Sequence, residues 1–574
     1  MRVPRVKFLG EQSAAFHKPW IDRSLPPTFE HFTNWLSTEH REPEERFPCG
    51  SRPRFPRRQP RHLFQDVAGI KGRRHNEPML FTQLYQTSHD AIMKSLTQIA
   101  EKVRPRLNSS TYMQGRPGCL STEKGDIMMR RGFTIGKCLA SALVLSLLLV
   151  CTARAEVSYD PNAYTSLASA DSTAGIPDGT KITKANWQQY KQFMPVGMQA
   201  QFGGGYKWQI DPTPDSTMVV GPTIMTQQPK QFLRDTEKYS SQVQLIKLPQ
   251  GSYTVKGYVA GLPFPNPAEP DLGAKAYFDA YYEYRPFIAW YEDPGWLVDS
   301  YHNTTINDTE VAAFRLSHLS EPGYPRTPTF GQGYIFSDRY FVKLPEQSKY
   351  TTELAMYRDD PALPQELYVF LPSLRRSLRL SSRARCSPIL GSDYAQDDNN
   401  DFLGVLPTEF SLKSLGRKKI LALIHEDPAA AGHPSAFVQP AGGMPGWPTP
   451  KLGKWELRDV YALDLFPLPE LARGYCYGHK VVFVDTQSWV PLSADIFDPN
   501  GKLWKVGLVN YHPWTINGGE VVVPQVVDII LWDLQNSHTT LSTVGKGLFN
   551  QETPKQYQDV GVMAFPASLA QVMR

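Results

Sequence analysis

Hydrophobic and polar residues alternate along much of the second half of the chain, a pattern typical of half-buried β-strands. The clearest alternation covers residues 455–464 and 480–485, and the run at 490–497 leads into a turn. That turn, Asp498-Pro499-Asn500-Gly501, is followed by a returning strand at 502–509. Further strand-like runs lie at 242–248, 253–259, 334–344, 367–371, 410–415 and 420–424. We therefore predict a mainly β (α+β) fold with a large antiparallel sheet of roughly ten or more strands.

A few other elements interrupt this strand pattern. Residues 185–194 show the period of a short amphipathic helix that ends at Pro195, and a second helix is expected at 229–239. Residues 428–453 are rich in Ala, Gly and Pro, which predicts a surface loop inserted between strands. No repeat of fixed period is present. We expect residues 156–574 to form a single large domain built on the one antiparallel sheet.

An apolar stretch lies far from the start of the chain. Residues 138–151 are almost entirely apolar, with basic residues before them and a small-x-small sequence after them that ends at Ala155. These are the three parts of a secretory signal peptide, and the run is shorter than the roughly 20 residues that span a bilayer. We predict a signal peptide at 128–155, cleaved between Ala155 and Glu156, and hence a periplasmic protein of the cell envelope.

The segment before this signal differs in composition from the rest. Residues 1–127 hold 21 basic and 13 acidic residues, whereas residues 156–574 hold 36 basic and 43 acidic residues. One interpretation is a mis-annotated upstream start or a disordered extension; the alternative is a basic cytoplasmic extension before a signal-anchor helix. The arginines between residues 52 and 61 are interleaved with prolines and fall in this segment, so we do not predict nucleic-acid binding.

Cysteine usage agrees with export. Only two of the six cysteines, Cys386 and Cys476, lie in residues 156–574. In an exported protein they permit one disulfide, and two separate buried thiols are the alternative. Neither cysteine has CxxC spacing, so the sequence favours neither redox catalysis nor a zinc site.

No catalytic motif is present in the sequence. HExxH, GxSxG, a Walker loop and a GxGxxG after a strand are all missing, so we predict that the protein is not an enzyme and has no cofactor. The cluster His425-Glu426-Asp427 could supply a base or a metal ligand, but adjacent residues of a strand face opposite sides.

Two polar groups remain to be interpreted. An acidic run could hold calcium, although a solvated loop is the favoured interpretation because Phe402 stands where an EF-hand would need glycine. Its members are Asp393, Asp397, Asp398 and Asp401. Arg375 and Arg376 are the candidate ligand-binding residues, since arginines at a cavity mouth can bind phosphates or carboxylates bidentately. The alternative for them is strand-edge charge, with Arg376 paired to Asp397 or Asp398.

Three stretches of sequence resemble a known family. They are Gly257-Tyr258-Val259-Ala260-Gly261-Leu262-Pro263, then residues 368–376 with Gln396-Asp397-Asp398, and finally residues 455–504. In order and spacing they resemble a bacterial family of exported proteins known only as a domain of unknown function. More distantly that family resembles the outer-membrane lipoprotein-sorting proteins of the LolA/LolB type. The sequence departs from the family pattern at 377–386.

This resemblance implies both a fold and a function. The fold would be a curved antiparallel half-barrel whose open side is covered by a few helices, and acyl chains would bind in its hollow. The implied function is a periplasmic carrier or chaperone for a lipid or other hydrophobic ligand, working with a membrane transporter and outer-membrane barrel proteins. The alternatives are an exported hydrolase on a β scaffold and a structural cell-envelope protein. An apolar cavity would favour the carrier, converging carboxylates the hydrolase, and a filled interior the structural protein.

Overall fold

The computed structural model describes residues 156–573 except 332, 382–383, 428–429, 431–433, 441–442 and 517–519. The predicted signal peptide at 128–155, with Ala155, and the segment before it lie outside the described residues. The strands are β1 Lys181–Ile182, β2 Met218–Val219, β3 Gln244–Lys247, β4 Tyr253–Lys256, β5 Ile288–Val298, β6 Thr304–Arg315, β7 Tyr334–Leu344, β8 Thr352–Arg358, β9 Glu366–Leu371, β10 Arg376–Leu380, β11 Phe410–Ala422, β12 Glu456–Pro467, β13 His479–Asp485, β14 Pro491–Phe497, β15 Leu503–Ile516, β16 Glu520–Asp533, β17 His538–Thr543 and β18 Lys546–Phe549. The α-helices are α1 Pro161–Thr165, α2 Val196–Gly203, α3 Lys230–Tyr239, α4 Leu272–Tyr281, α5 Pro469–Ala472 and α6 Val560–Met563.

Fourteen of these strands form one antiparallel sheet. Its order is β10-β9-β8-β7-β6-β5-β17-β16-β15-β14-β13-β12-β11, with β18 paired to the first half of β5. The sheet is open, because β10 and β11 stand at its two ends. The predicted fold class, mainly β with a large antiparallel sheet and few helices, is confirmed.

The strand order shows that two meanders build the sheet. Strands β5 to β10 run outward in one direction, and β11 to β17 run back from the opposite edge until β17 pairs with β5. Residues 381–409 therefore connect one edge of the sheet to the other edge. We call this connection the crossing segment, and it lies over one face of the sheet, which we call the inner face.

The outer face is covered by other parts of the chain. Over the first meander, Tyr557 and Val560 from the C-terminal segment pack on Trp290 and Phe314. Over the second meander lie α2 and residues 434–455, where the Trp447 ring lies 5.7 Å from that of Trp455. Since both faces of β13 and β14 are covered, nearly every residue of these strands is buried.

Several sequence predictions are refined by this structure. The helix predicted at 229–239 and the strand predicted at 334–344 are both present. The helix predicted at 185–194 is wrong, because that stretch forms two short 3₁₀ turns. The two strands predicted at 410–424 are one strand with a bulge near Gly416, whose φ is +96°. The described residues of 428–453 are not a surface loop, since Trp447 and Leu452 there are fully buried.

Candidate ligand cavity

A cavity of about 260 Å³ lies on the inner face. Six strands that are neighbours in the sheet, β7, β6, β5, β17, β16 and β15, form its floor, and the crossing segment covers it from the other side. Its walls are largely apolar or aromatic, and include Ala289, Val311, Ala313, Phe336, Ile389 and Val544. Ligand pockets usually measure about 300–1,000 Å³, so this volume suits one small ligand or a single alkyl chain.

Strand alternation explains why these residues face the cavity. On β5, Ala289 and Tyr291 line the cavity, while Trp290 between them packs beneath the C-terminal segment on the outer face. The register places Ala289 opposite Ala313, and Ala313 opposite Asp338. Small side chains along this row leave space that larger ones would fill. The hollow is therefore a direct result of alanine at these positions.

A disulfide and an ion-pair network fix the start of the crossing segment. Cys386 is bonded to Cys476, and their Cα atoms lie 5.8 Å apart. Beside the disulfide, the Arg385 guanidinium binds the buried Asp397 carboxylate at 2.8 Å. The Tyr475 hydroxyl donates to the same carboxylate at 2.6 Å. The Cys386–Cys476 pair that the sequence allows thus ties the crossing segment to the chain just before β13.

Further along, a buried lysine and a close ring contact fix the crossing segment to the sheet. Lys480 of β13 donates to the Asp398 carboxylate at 2.9 Å, and both side chains are almost fully buried. Burial raises the pKa of Asp398, but Lys480, Lys505 and the hydrogen bonds from Tyr477 and the Ala395 backbone together outweigh burial, so the pKa is lowered overall. Phe402 then packs on Gly507 of β15, where a Cβ atom would lie 2.3 Å from the ring. These contacts hold the crossing segment in place above the cavity.

One wall of the cavity is polar. Arg285, just before β5, donates to Glu283 at 3.2 Å and to the side chain of Asn400 on the crossing segment. Its guanidinium also lies over the Phe336 ring, 4.9 Å from the centroid. Burial raises the pKa of Glu283 to about 8, although Arg285 opposes that shift. Arg285 thus connects the sheet to the crossing segment at a position that is largely shielded from water.

Two further carboxyl groups share this wall. Burial raises the pKa of Asp338 to about 6, with Arg285 lowering it and Asp401 raising it. Burial likewise raises the pKa of Asp401 to about 6. Among the described residues none donates a hydrogen bond to Asp338, whose exposed fraction is 7%. By contrast, Asp293 deeper along β5 accepts hydrogen bonds from Ser542 and Thr309.

A separate acidic pair lies on the outer face and takes no part in the cavity. Asn510 of β15 is directly opposite Asp528 of β16, and Glu426 lies against both. Burial and the neighbouring Asp528 raise the pKa of Glu426 well above its ordinary value. His425 bonds to Glu456 at 2.6 Å instead, so the cluster His425-Glu426-Asp427 is not brought together as a catalytic or metal group.

The candidate arginines lie elsewhere. Arg375 and Arg376 are exposed where β9 turns into the edge strand β10, and neither lines the cavity. This position agrees with the alternative of strand-edge charge, which keeps edges from pairing with other chains. The partner suggested for Arg376 is wrong, because Asp397 binds Arg385 and Asp398 binds Lys480.

The acidic run is not a solvated loop, since Asp397 and Asp398 are buried. Within the described part of the chain, no group of three or more His, Cys, Asp or Glu side chains could hold a metal ion.

Sequence reasoning did not single out Glu283, Arg285 or Asp338. The sequence did contain one indication for Asp338. On the strand predicted at 334–344, this charged residue shares a face with the aromatic residues Phe336 and Tyr340.

None of the described helices is long and apolar enough to cross a membrane.

Comparison with known proteins gives one family and several distant structures. Residues 181–561 match a family described as "Protein of unknown function (DUF1329)". No curated protein matches the sequence. A putative outer membrane lipoprotein-sorting protein domain from Vibrio parahaemolyticus is 14% identical, with 51% of this chain and 97% of that chain covered and a TM-score of 0.34.

Two other solved structures are similar to a comparable degree. A DUF1329 family protein from Desulfovibrio piger is 12% identical, covering 50% of this chain and 96% of that chain, with a TM-score of 0.33. A LolA superfamily protein from Nitrosomonas europaea is 14% identical, covering 48% of this chain and 92% of that chain, with a TM-score of 0.28. Each match spans about half of this chain.

Proposed function

The chain belongs to the DUF1329 family, and within that family we propose that it is a periplasmic carrier that holds one hydrophobic or amphipathic molecule in the inner-face cavity. The family resemblance predicted from the sequence motifs is confirmed by the match at 181–561. The observation that carries the proposal is the cavity itself, a mostly apolar space left open between six strands and the crossing segment.

The physics of the cavity supports a binding role. Burying apolar ligand surface contributes about 2.5 kcal/mol per 100 Å² before the costs of association. The crossing segment contributes Ile389 and Leu390 to the cavity wall, so a bound chain would be enclosed from both sides. Such enclosure suits a carrier that must shield its ligand from water during transfer.

The proposed location is the periplasm. The Cys386–Cys476 disulfide suits an oxidising compartment, where such bonds persist. The predicted signal peptide would deliver the chain there. A membrane transporter and outer-membrane barrel proteins are the partners we propose, on the strength of the family resemblance alone.

The test is to recover the protein, expressed from its full-length gene, without detergent and to measure its mass under native conditions. We expect a stoichiometric amphiphile that solvent extraction releases and lipid analysis assigns to a class. An empty protein that also takes up no added amphiphile would overturn the carrier proposal.

A matched pair of variants locates the ligand. Ala313→Phe places a ring in the cavity, whereas Thr305→Phe places the same ring at an exposed position on the same strand. We expect the first variant to lose the ligand and the second to keep it. Circular dichroism and thermal melting of both variants separate loss of binding from loss of folding.

A second candidate, an exported hydrolase, is favoured by one observation. Burial raises the pKa of the Glu283 carboxyl group to about 8, whereas it raises the pKa values of Asp338 and Asp401 on the same wall only to about 6. A protonated acid beside an ionised carboxylate is the arrangement that glycoside hydrolysis uses. Hydrolysis of aryl glycosides that is lost in Glu283→Gln would favour this candidate over the carrier.

A further inference from the structure

Most charged groups around the cavity already have partners within the protein. Arg285 binds Glu283 and Asn400, and Arg315 donates its Nε–H to the Ser317 carbonyl at 3.0 Å. Lys480 neutralises Asp398 on the crossing segment. Arg285 and Lys480 are therefore committed to protein groups, whereas Arg315 donates only to a neutral carbonyl and its Nη1 has no hydrogen-bond partner among the described residues.

Two carboxylates are left without adequate donors. Among the described residues, Asp338 receives no hydrogen bond, and Asp401 has only the Tyr511 hydroxyl at 3.4 Å. That hydroxyl also donates to the Pro491 carbonyl at a shorter distance, so it contributes little to Asp401. A buried carboxylate without donors is costly, which makes the polar wall an acceptor site in need of a donor.

Among the described residues, the side chains directly opposite Asp338 on the neighbouring strands cannot donate a hydrogen bond to it. Its cross-strand neighbours are Ala313 on β6 and Ala355 on β8, which carry no polar atoms in their side chains. The open space next to Asp338 is the cavity, and the exposed fraction of its side chain faces that space. A group that satisfies this carboxylate would have to arrive with the ligand.

We propose that the cavity selects amphiphiles with a cationic, hydrogen-bond-donating head group, such as a primary amine, which binds Asp338 and Asp401 while the alkyl body lies along the apolar wall. This inference rests on the proposed carrier function and specifies its ligand class. An ammonium group brings three donors and a positive charge to a wall that offers acceptors and net negative charge. A carboxylate or phosphate head group would be repelled by both aspartates. Arg285 would not offset that repulsion, because it is bound to Glu283.

The test compares decylamine, decanol and decanoate, which share one alkyl chain and differ in the head group. Isothermal calorimetry on delipidated protein at pH 7.5 should show decylamine binding at least 10-fold more tightly than decanoate, with decanol between them. Equal or tighter binding of decanoate would overturn the inference while leaving the carrier function standing. If none of the three binds, the carrier function itself fails.

Variants test the role of Asp338 directly. Asp338→Asn keeps the shape and removes the charge, and it should weaken decylamine about 10-fold with little effect on decanol, which corresponds to about 1.4 kcal/mol. Asp308→Asn is the control, because Asp308 lies on the neighbouring strand outside the cavity and pairs with Lys343 at 3.2 Å. Should Asp338→Asn fail to fold, Asp401→Asn provides the same comparison. An unchanged preference for the amine in both cavity variants would refute the assignment.

A pH series gives an independent measurement on the unmodified protein. The carboxylates and arginines that line the cavity come from the residues before β5, from β5 to β7 and from the crossing segment: Glu283, Arg285, Asp293, Arg315, Asp338, Asp398 and Asp401. The tyrosines of the lining are Tyr284, Tyr291, Tyr340, Tyr394 and Tyr511. Because the pKa values of Asp338 and Asp401 are raised to about 6, both lose their charge as the pH falls to 5. Decylamine affinity should fall several-fold from pH 7.5 to pH 5, and an affinity that stays constant or rises contradicts the inference.

Discussion

Replacing Asp338 with asparagine should change how the stability of the protein depends on pH. Burial raises the pKa of this carboxyl group from 3.8 to about 6. The folded state therefore holds the proton more tightly than the unfolded chain, and ionisation opposes folding. The contribution of Asp338 to the stability of the wild type is expected to fall as the pH rises from about 4 to about 6 and then to level off. Asparagine has no proton to lose, so the variant lacks this part of the dependence.

The size of the effect follows from the two pKa values. A difference of about 2 pH units corresponds to about 3 kcal/mol over the full range, at about 1.36 kcal/mol per unit. The unfolded carboxyl group is already mostly ionised at pH 5, so about 1.4 kcal/mol of that total falls between pH 5 and pH 8. The variant should gain stability relative to the wild type by this amount across that interval.

The assay is urea unfolding followed by tryptophan fluorescence at pH 5, 6, 7 and 8, on delipidated wild type and variant. Asp308→Asn serves as the control for the substitution itself, since Asp308 is half-buried outside the cavity. Parallel stability curves for wild type and Asp338→Asn would refute the reasoning, because they would mean that Asp338 is not held in a dry site. A difference that grows toward acidic pH would reverse the sign and refute it equally.

Three further outcomes are expected. Breaking the Cys386–Cys476 disulfide, which closes a separation of 90 residues, should destabilise the protein by up to about 4–5 kcal/mol, measured as a lower urea midpoint after reduction. Gly507→Ala should cost about 1–3 kcal/mol and reduce ligand retention, because its Cβ would meet Phe402 of the crossing segment; thermal melting and native mass spectrometry check both effects. Arg458→Leu should destabilise by about 3–5 kcal/mol, because Asp485 would remain buried without a counter-charge and Glu456 would keep only His425 as an ion-pair partner, and an unchanged melting temperature would contradict this.

Much of the second meander could be predicted from the sequence. Strands β12 to β15 follow the alternating runs closely, and the turn at Asp498 forms as its sequence indicates, with Asp498 accepting from the backbone of Asn500 and Lys502. The long strands β5, β6 and β16 were not predicted; β5 and β16 each contain a proline, Pro294 or Pro524, which argues against a strand interior. Pro294 lies between the stretches of β5 that pair with β17 and β18, and Pro524 lies outside the stretch of β16 that pairs with β17. Each proline therefore has a strand partner on one side only, where its missing N–H is tolerated.

The polar wall of the cavity was much harder to predict. Glu283 and Arg285 precede β5, Asp338 lies on β7, and Asp401 comes from the crossing segment, so no local spacing links them. The consecutive strands β5 to β7 bring Asp338 near Arg285. Asp401 joins them because the crossing segment is attached to the second meander, which meets the first where β17 pairs with β5, a contact between residues far apart in sequence. The burial of the acidic run was hard to predict for the same reason. A cluster of aspartates is typical of a solvent-exposed loop, and the sequence does not show that Arg385 and Lys480 lie against it.

The order of the strands accounts for both the cavity and its cover. Because the two meanders grow outward from the β17–β5 pair, their last and first strands, β10 and β11, end at opposite edges. Any chain that joins those edges must pass over a face of the sheet, and here it passes over the face whose central rows carry alanine. To pack tightly against this face, the crossing segment would need side chains that fill the hollow. Its main attachments lie instead over β13 to β15, at Lys480 and Gly507. The space over β5 to β7 therefore stays open, and within the described part of the chain no side chain donates a hydrogen bond to Asp338, which lines that space.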